Sequence, residues 1–190
     1  MNSIHKRLEG GDLRSIGKAD TVVEDLHKDP SLFDEVFDCL YSDKPGVRMR
    51  SADVIETFTS KHPEYVNPYK NKLLYEVSRI NQKEVRWHVC QIIPRLELNT
   101  KEIDQAFMLF KEYLDDNSSI VKTFAMQALF DLAQLNKNLM PEVTSIINDC
   151  LKNGSPAISL NERKTTSRGW SKNSNPPPDV CSSAIRILRF

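Results

Sequence analysis

Every 37 residues along this chain the same apolar position returns. Leu40, Val77, Leu114 and Leu151 are spaced at that interval. One turn earlier Val36, Leu73, Phe110 and Ile147 keep the same step, and two turns earlier so do Leu32, Tyr69, Ala106 and Val143. Rows four and eight residues apart lie on one face of a helix. A first helix, A, therefore recurs in each unit, with Pro30, Pro68 and Pro141 close before its first apolar position, where proline suits a helix start.

A second helix, B, follows. Its first apolar residue is Val47, Val85, Val121 and then Ile158, at intervals of 38, 36 and 37. Ser51, Val89 and Ala125 stand four residues on, Ile55, Ile93 and Leu129 eight on, and Phe58, Leu96 and Leu132 eleven on. That is the stripe of an amphipathic helix. Asp43, Asn81 and Asn117 precede the three anchors by four residues and are good N-cap types. Ahead of the first full unit, Ala19, Val22, Val23 and Leu26 fit a B-type stripe, and "NSIHKRLE" fits a shortened helix A.

The spacing predicts helix pairs near 30–62, 67–98 and 101–136, then a fourth helix A near 139–152. No sustained period-2 run or glycine hairpin turn competes with this all-α reading. A lone helix pair cannot bury its apolar face, so neighbours must stack. The expected fold is a right-handed α-solenoid of about four antiparallel helix pairs.

The B-helix starts "DKPGVRMRSA", "NQKEVRWHVC", "NSSIVKTFAM" and "NGSPAI" resemble HEAT repeats, the armadillo-like solenoid family. In that family a Val–Arg/Lys pair opens helix B after an Asp or Asn in the turn. Val47-Arg48, Val85-Arg86 and Val121-Lys122 match the pair, and Asp43, Asn81 and Asn117 match the turn. The resemblance covers about residues 13–158. It implies a helix B lining the concave face and a fold that serves many unrelated functions.

Arg48, Arg86 and Lys122 occupy one repeat position. They read either as a basic stripe for an acidic peptide or phosphate backbone, or as cations that bond the turn residues and hold the stack in register. The resemblance implies the second. Trp87 lies off the apolar stripe beside Arg86, where it could be a contact hot spot or a cover for a helix joint. Arg50, His88 and Phe124 align three after each anchor and complete the expected partner surface with Arg48, Arg86, Trp87 and Lys122. Val47, Val85 and Val121, with Asp43, Asn81 and Asn117, are the expected stacking residues.

Charge separates the function classes. Residues 159–190 carry Arg163, Lys164, Arg168, Lys172, Arg186 and Arg189 against Glu162 and Asp179, a net +4. The formal total is zero, so the first 158 residues carry −4. A mildly acidic body is a poor partner for phosphate backbones. The carboxylates Asp34, Glu35, Asp38, Glu102, Asp104 and Glu112 read as a solvated face, and Asp115-Asp116 as serving the turn before a helix. Cys39, Cys90, Cys150 and Cys181 form no CxxC pair, so buried, reduced thiols are expected and a metal site is not. No spacing places a nucleophile with a base, and there is no phosphate-loop or dinucleotide motif.

The expectation is thus a non-enzymatic, cofactor-free interaction module for a protein or peptide. The alternative is a nucleic-acid-binding relative of the HEAT-like alkylated-DNA glycosylases. Neither a leader nor a membrane span is expected, which points to the cytoplasm. An uncovered terminal repeat would offer an edge to a second copy.

From residue 159 the apolar rows fail together, at Ser159, Glu162, Thr165, Thr166 and Gly169, and Pro176-Pro177-Pro178 bars a helix. The expected division is a repeat domain over 1–158 and an irregular tail over 159–190. Abrupt loss is what a frameshift would leave; a genuine disordered or partner-binding tail is the alternative.

Overall fold

The computed structural model describes residues 4–10 and 17–153, with side chains as far as 150. Among these residues there is helix and turn and no strand. The expected tail and the fourth B-helix start at Ile158 lie outside the described residues. The chain forms two compact units, residues 1–106 and 107–190.

In the first unit the shortened opening pair is α1 (Ile4–Leu8) and α2 (Ala19–Lys28). The first full A element is a 3-10 turn at Pro30–Leu32, then α3 (Phe33–Asp38), then a second 3-10 turn at Cys39–Tyr41. Its B helix is α4 (Pro45–Thr59). The next A element is again broken, with α5 (Lys70–Tyr75) between 3-10 turns at Asn67–Tyr69 and Val77–Arg79. Its B helix is α6 (Lys83–Ile92), ended by a 3-10 turn at Ile93–Arg95 that contains Pro94. Proline supplies no N–H and crowds the preceding turn, so α6 stops short of the length its apolar row would allow.

The third A helix, α7 (Thr100–Tyr113), is unbroken and starts inside the first unit. Asn99 and Glu102 form a capping box: Glu102 N–H donates to Asn99 Oδ1 at 3.0 Å, and Asn99 N–H donates to Glu102 Oε2 at 2.7 Å. Lys70 Nζ reaches that same Glu102 oxygen at 2.8 Å, and the two interactions hold the Glu102 carboxyl below its ordinary value. The second unit contains α8 (Ser119–Leu135) and α9 (Met140–Asn153), which pack together. Lys111 Nζ and Glu142 Oε1, 2.7 Å apart, pair across its surface.

The predicted rows form the cores. Val47, Val85 and Val121 are fully buried, as are Ser51, Val89 and Ala125, then Ile55, Ile93 and Leu129, then Phe58, Leu96 and Leu132. Each large apolar side chain so placed contributes about 1.5–3 kcal/mol of transfer free energy. The A rows are buried at Val36, Leu73, Phe110 and Ile147, and half-buried at Leu32, Tyr69 and Leu114. In the first unit α4 is the hub, packing against α1, α2, α3 and α6.

Two details depart from the sequence reading. Asp43, Asn81 and Asn117 are exposed and lie one residue before the N-caps Lys44, Gln82 and Ser118, none of which makes a side-chain cap bond. The turn bonds come from the preceding residues instead: Ser42 Oγ accepts from Lys44 N–H at 3.2 Å, and Asp116 Oδ1 accepts from Ser118 N–H at 2.7 Å. Cys39 and Cys90 are buried thiols, and burial, with Glu35 and Asp38 nearby, pushes Cys39 up to about 11. Cys150 is only half-buried; its thiol is raised by burial and Asp149 against the opposing pull of Lys122.

Candidate functional site

Arg48 and Arg86 spend donors on their own chain. Arg48 Nη1 donates to Ser42 O at 2.7 Å, and Arg86 Nε donates to Ile80 O at 3.3 Å. The acceptor lies six residues before the arginine in both repeats, in the turn that leads into helix B. Arg48 also crosses to the next repeat, where its Nε donates to Gln82 Oε1 at 2.8 Å. The amide nitrogen of Gln82 turns back and donates to Pro45 O at 2.9 Å. One buried glutamine thus grips both a side chain and the first turn of α4, tying α4 to α6. The register bonds expected at Asp and Asn run through Gln82 and through backbone carbonyls. Composition around the turn gave no sign of this, since glutamine is not a turn residue.

Arg50 and His88 are not on an exposed surface, contrary to the expectation. Arg50 is 1% exposed and His88 7%. Arg50 Nη1 donates to Leu8 O at 3.0 Å and to Gly46 O at 3.2 Å, so the guanidinium sits against the carbonyl end of α1, where a cation is favoured. Gly17 closes over it: its φ is +59°, and a Cβ there would come within 2.9 Å of Arg50 Nε. Both the backbone angle and the space call for glycine.

His88 projects from α6 toward α4. Its Nε2 is 3.9 Å from Asp53 Oδ1, too far for a hydrogen bond, and Gln91 Nε2 lies 3.4 Å from Nδ1. Burial, with Arg95 nearby, lowers its pKa from 6.5 to about 4, so the ring is neutral at pH 7. The Asp53 carboxyl is raised by burial and by Glu56 and Asp20. Arg95 bonds the Glu56 carboxylate and donates to Glu56 O at 2.9 Å, a second tie between α4 and the end of α6. These are the groups that link neighbouring B helices. The imidazole has its proton-binding range shifted away from neutrality, which unsuits it for base catalysis there.

Trp87 is half-exposed and meets the His88 ring edge-on at 5.5 Å between centroids. In the second unit, Lys122 and Phe124 are half-exposed on α8. The side chains of the expected surface that keep exposure are therefore Arg48, Arg86 and Trp87 in one unit, and Lys122 and Phe124 in the other.

The model of the HEAT repeat domain matches residues 5–168, which is most of the chain. This chain belongs to the HEAT-repeat family. The match runs past residue 158, where the repeat domain was expected to end. No curated protein and no solved structure matches the chain. HEAT repeats in general serve as protein-interaction scaffolds. Among the described residues no helix is long and apolar enough to cross a membrane.

Proposed function

We propose that this HEAT-repeat chain is a non-enzymatic module that binds a protein or peptide, with Trp87 as the central contact of the first unit. The observation that carries the reading is the linkage of α4 to α6 by Arg48–Gln82–Pro45 and Arg95–Glu56. A surface braced in this way loses little entropy on binding, and Trp and Arg are among the residue types enriched at interface hot spots. Lys122 and Phe124 supply the corresponding contacts on α8. The cytoplasm is the proposed location, no cofactor is required, and the helix pairs continue as a right-handed α-solenoid of about four repeats, supported by the constant period.

Nucleic-acid binding is the weaker reading. A phosphate-gripping stripe would aim its cations outward, whereas Arg48 and Arg86 are engaged with Ser42 O and Ile80 O. A photo-crosslinking side chain at position 87 tests the proposal. The same protein should be captured repeatedly, and untagged wild-type chain should compete for it. Capture of the chain itself would make the partner a second copy; no adduct above background would refute the reading.

A further inference from the structure

A cleft of about 570 Å³ opens in the first unit where Pro30–Leu32 and the start of α3 face the 3-10 turns Pro63–Tyr65 and Asn67–Tyr69. Its walls are unusual for a surface hollow. Phe33 forms the floor, 2% exposed, while Tyr65 and Tyr69 are half-exposed sides. The Phe33 ring stands 6.2 Å and 45° from Tyr65, and 5.5 Å and 56° from Tyr69. At these distances and tilts the rings pack against one another, and all three border the cleft.

The positions of these rings are fixed from outside the cleft. Phe33 and Tyr65 both lean on Phe58 of α4, at 5.9 and 5.4 Å. Tyr69 stacks on Phe37 at 4.0 Å and donates its hydroxyl to Asp34 Oδ1. Asp34 and the exposed Glu64 put carboxylates on the rim, and His62 Nδ1 lies 3.5 Å from Glu64 Oε1. The lining contains no lysine or arginine.

Aromatic faces present negative charge, and carboxylates at their edge add to it. Outside the lining, Lys72 Nζ sits 5.8 Å from the ring centroids of both Phe37 and Tyr69, the distance range of a cation–π contact. An aliphatic or proline side chain would use the rings and leave the carboxylates idle. A lysine or arginine uses both, laying its stem on the rings and its charge against Asp34 and Glu64.

We infer that the cleft walled by Phe33, Tyr65 and Tyr69 receives a lysine or arginine side chain from a basic segment of a partner protein. The inference rests on the protein-binding reading and assigns that reading a second contact point, with the chemistry of its ligand. The test is titration of the full chain with a labelled eight-residue peptide of glycine and two arginines, followed by NMR and fluorescence anisotropy, beside a citrulline peptide of the same length. The arginine peptide should bind weakly, shift the signals of Tyr65 and Tyr69, and lose about fivefold in affinity with citrulline or with Asp34→Asn/Glu64→Gln. Tyr65→Ala should do the same, and the carboxylate variant keeps the test valid if Tyr65→Ala fails to fold.

Equal binding of the citrulline peptide, or no saturation by roughly 5 mM peptide, would overturn the inference. Crosslinking through position 87 is the separate control. A partner captured there while the arginine peptide fails would sink the cleft and leave the interaction module standing.

Discussion

The third residue after each B-helix anchor is Arg50 on α4, His88 on α6 and Phe124 on α8. In the first unit this position is polar and buried: Arg50 bonds the end of α1, and His88 bonds Gln91 of its own helix while its other ring nitrogen faces Asp53 of α4 at 3.9 Å. In the second unit it is apolar and half-exposed, and α8 buries Ala128, Phe130 and Ala133 beyond its main stripe. Over a common apolar core, the same repeat position therefore carries a buried polar group in one region and an apolar one in the other. Hydrogen-bonded ties specify one neighbour; apolar burial tolerates repacking.

The sharpest way to break this contrast is Arg50→Leu. The buried carbonyl of Leu8 and the part-buried one of Gly46 would lose a charged donor, destabilising the first unit by roughly 3 kcal/mol. Phe124→Leu at the same repeat position in α8 should cost under about 1.5 kcal/mol. Amide hydrogen exchange resolved by helix measures both, and equal effects would erase the distinction between the units.

Acid should separate them next. Folded His88 takes up a proton only near pH 4, whereas the unfolded ring does so near 6.5. Between those values the unfolded chain holds more protons, so stability of the first unit falls as pH drops from about 6.5 to about 4. The full span is on the order of 3 kcal/mol. The raised Asp53 carboxyl opposes the trend, because above its ordinary value of 3.8 it holds a proton in the folded chain that the unfolded chain has released. His88→Gln should flatten the profile. A profile unchanged by that variant would show that His88 is not the group responsible.

Smaller effects refine the comparison. Gln82→Ala removes the amide shared by Arg48 and Pro45 and should cost about 1–2 kcal/mol, read as loosened exchange protection where α4 meets α6. Gln127 on α8 is the counter-case: its Nε2 donates to Asp131 Oδ1 at 2.8 Å, but its buried Oε1 has no partner among the described residues. Gln127→Met should be neutral or stabilising by up to about 1 kcal/mol, checked by chemical denaturation.

The apolar rows were legible because burial follows helical period directly. Val47, Ile55 and Phe58 announce their face by spacing alone. The buried Arg50 and His88 were misread as surface, although three residues after an anchor is the flank of the same stripe. A charged residue there is buried only if a carbonyl waits for it, and Leu8 O is 42 positions away in sequence. Gln82 was hidden for the same reason: its partners Arg48 and Pro45 are set by stacking, not by local pattern. The cleft around Phe33 was likewise invisible, because Phe33 and Tyr65 lie outside the 37-residue rows and only Tyr69 belongs to one. Trp87 was readable as an off-stripe aromatic, and it is only partly buried.

The Gln82 amide has one further consequence. Lys44, Gln82 and Ser118 stand at equivalent N-caps, and only the middle one can accept with one end and donate with the other. Chains built from similar units risk pairing the wrong neighbours while they fold. A bidirectional amide at one junction works as an address. Both of its partners, Arg48 and Pro45, lie on α4, so the α4–α6 junction carries a two-way contact of its own.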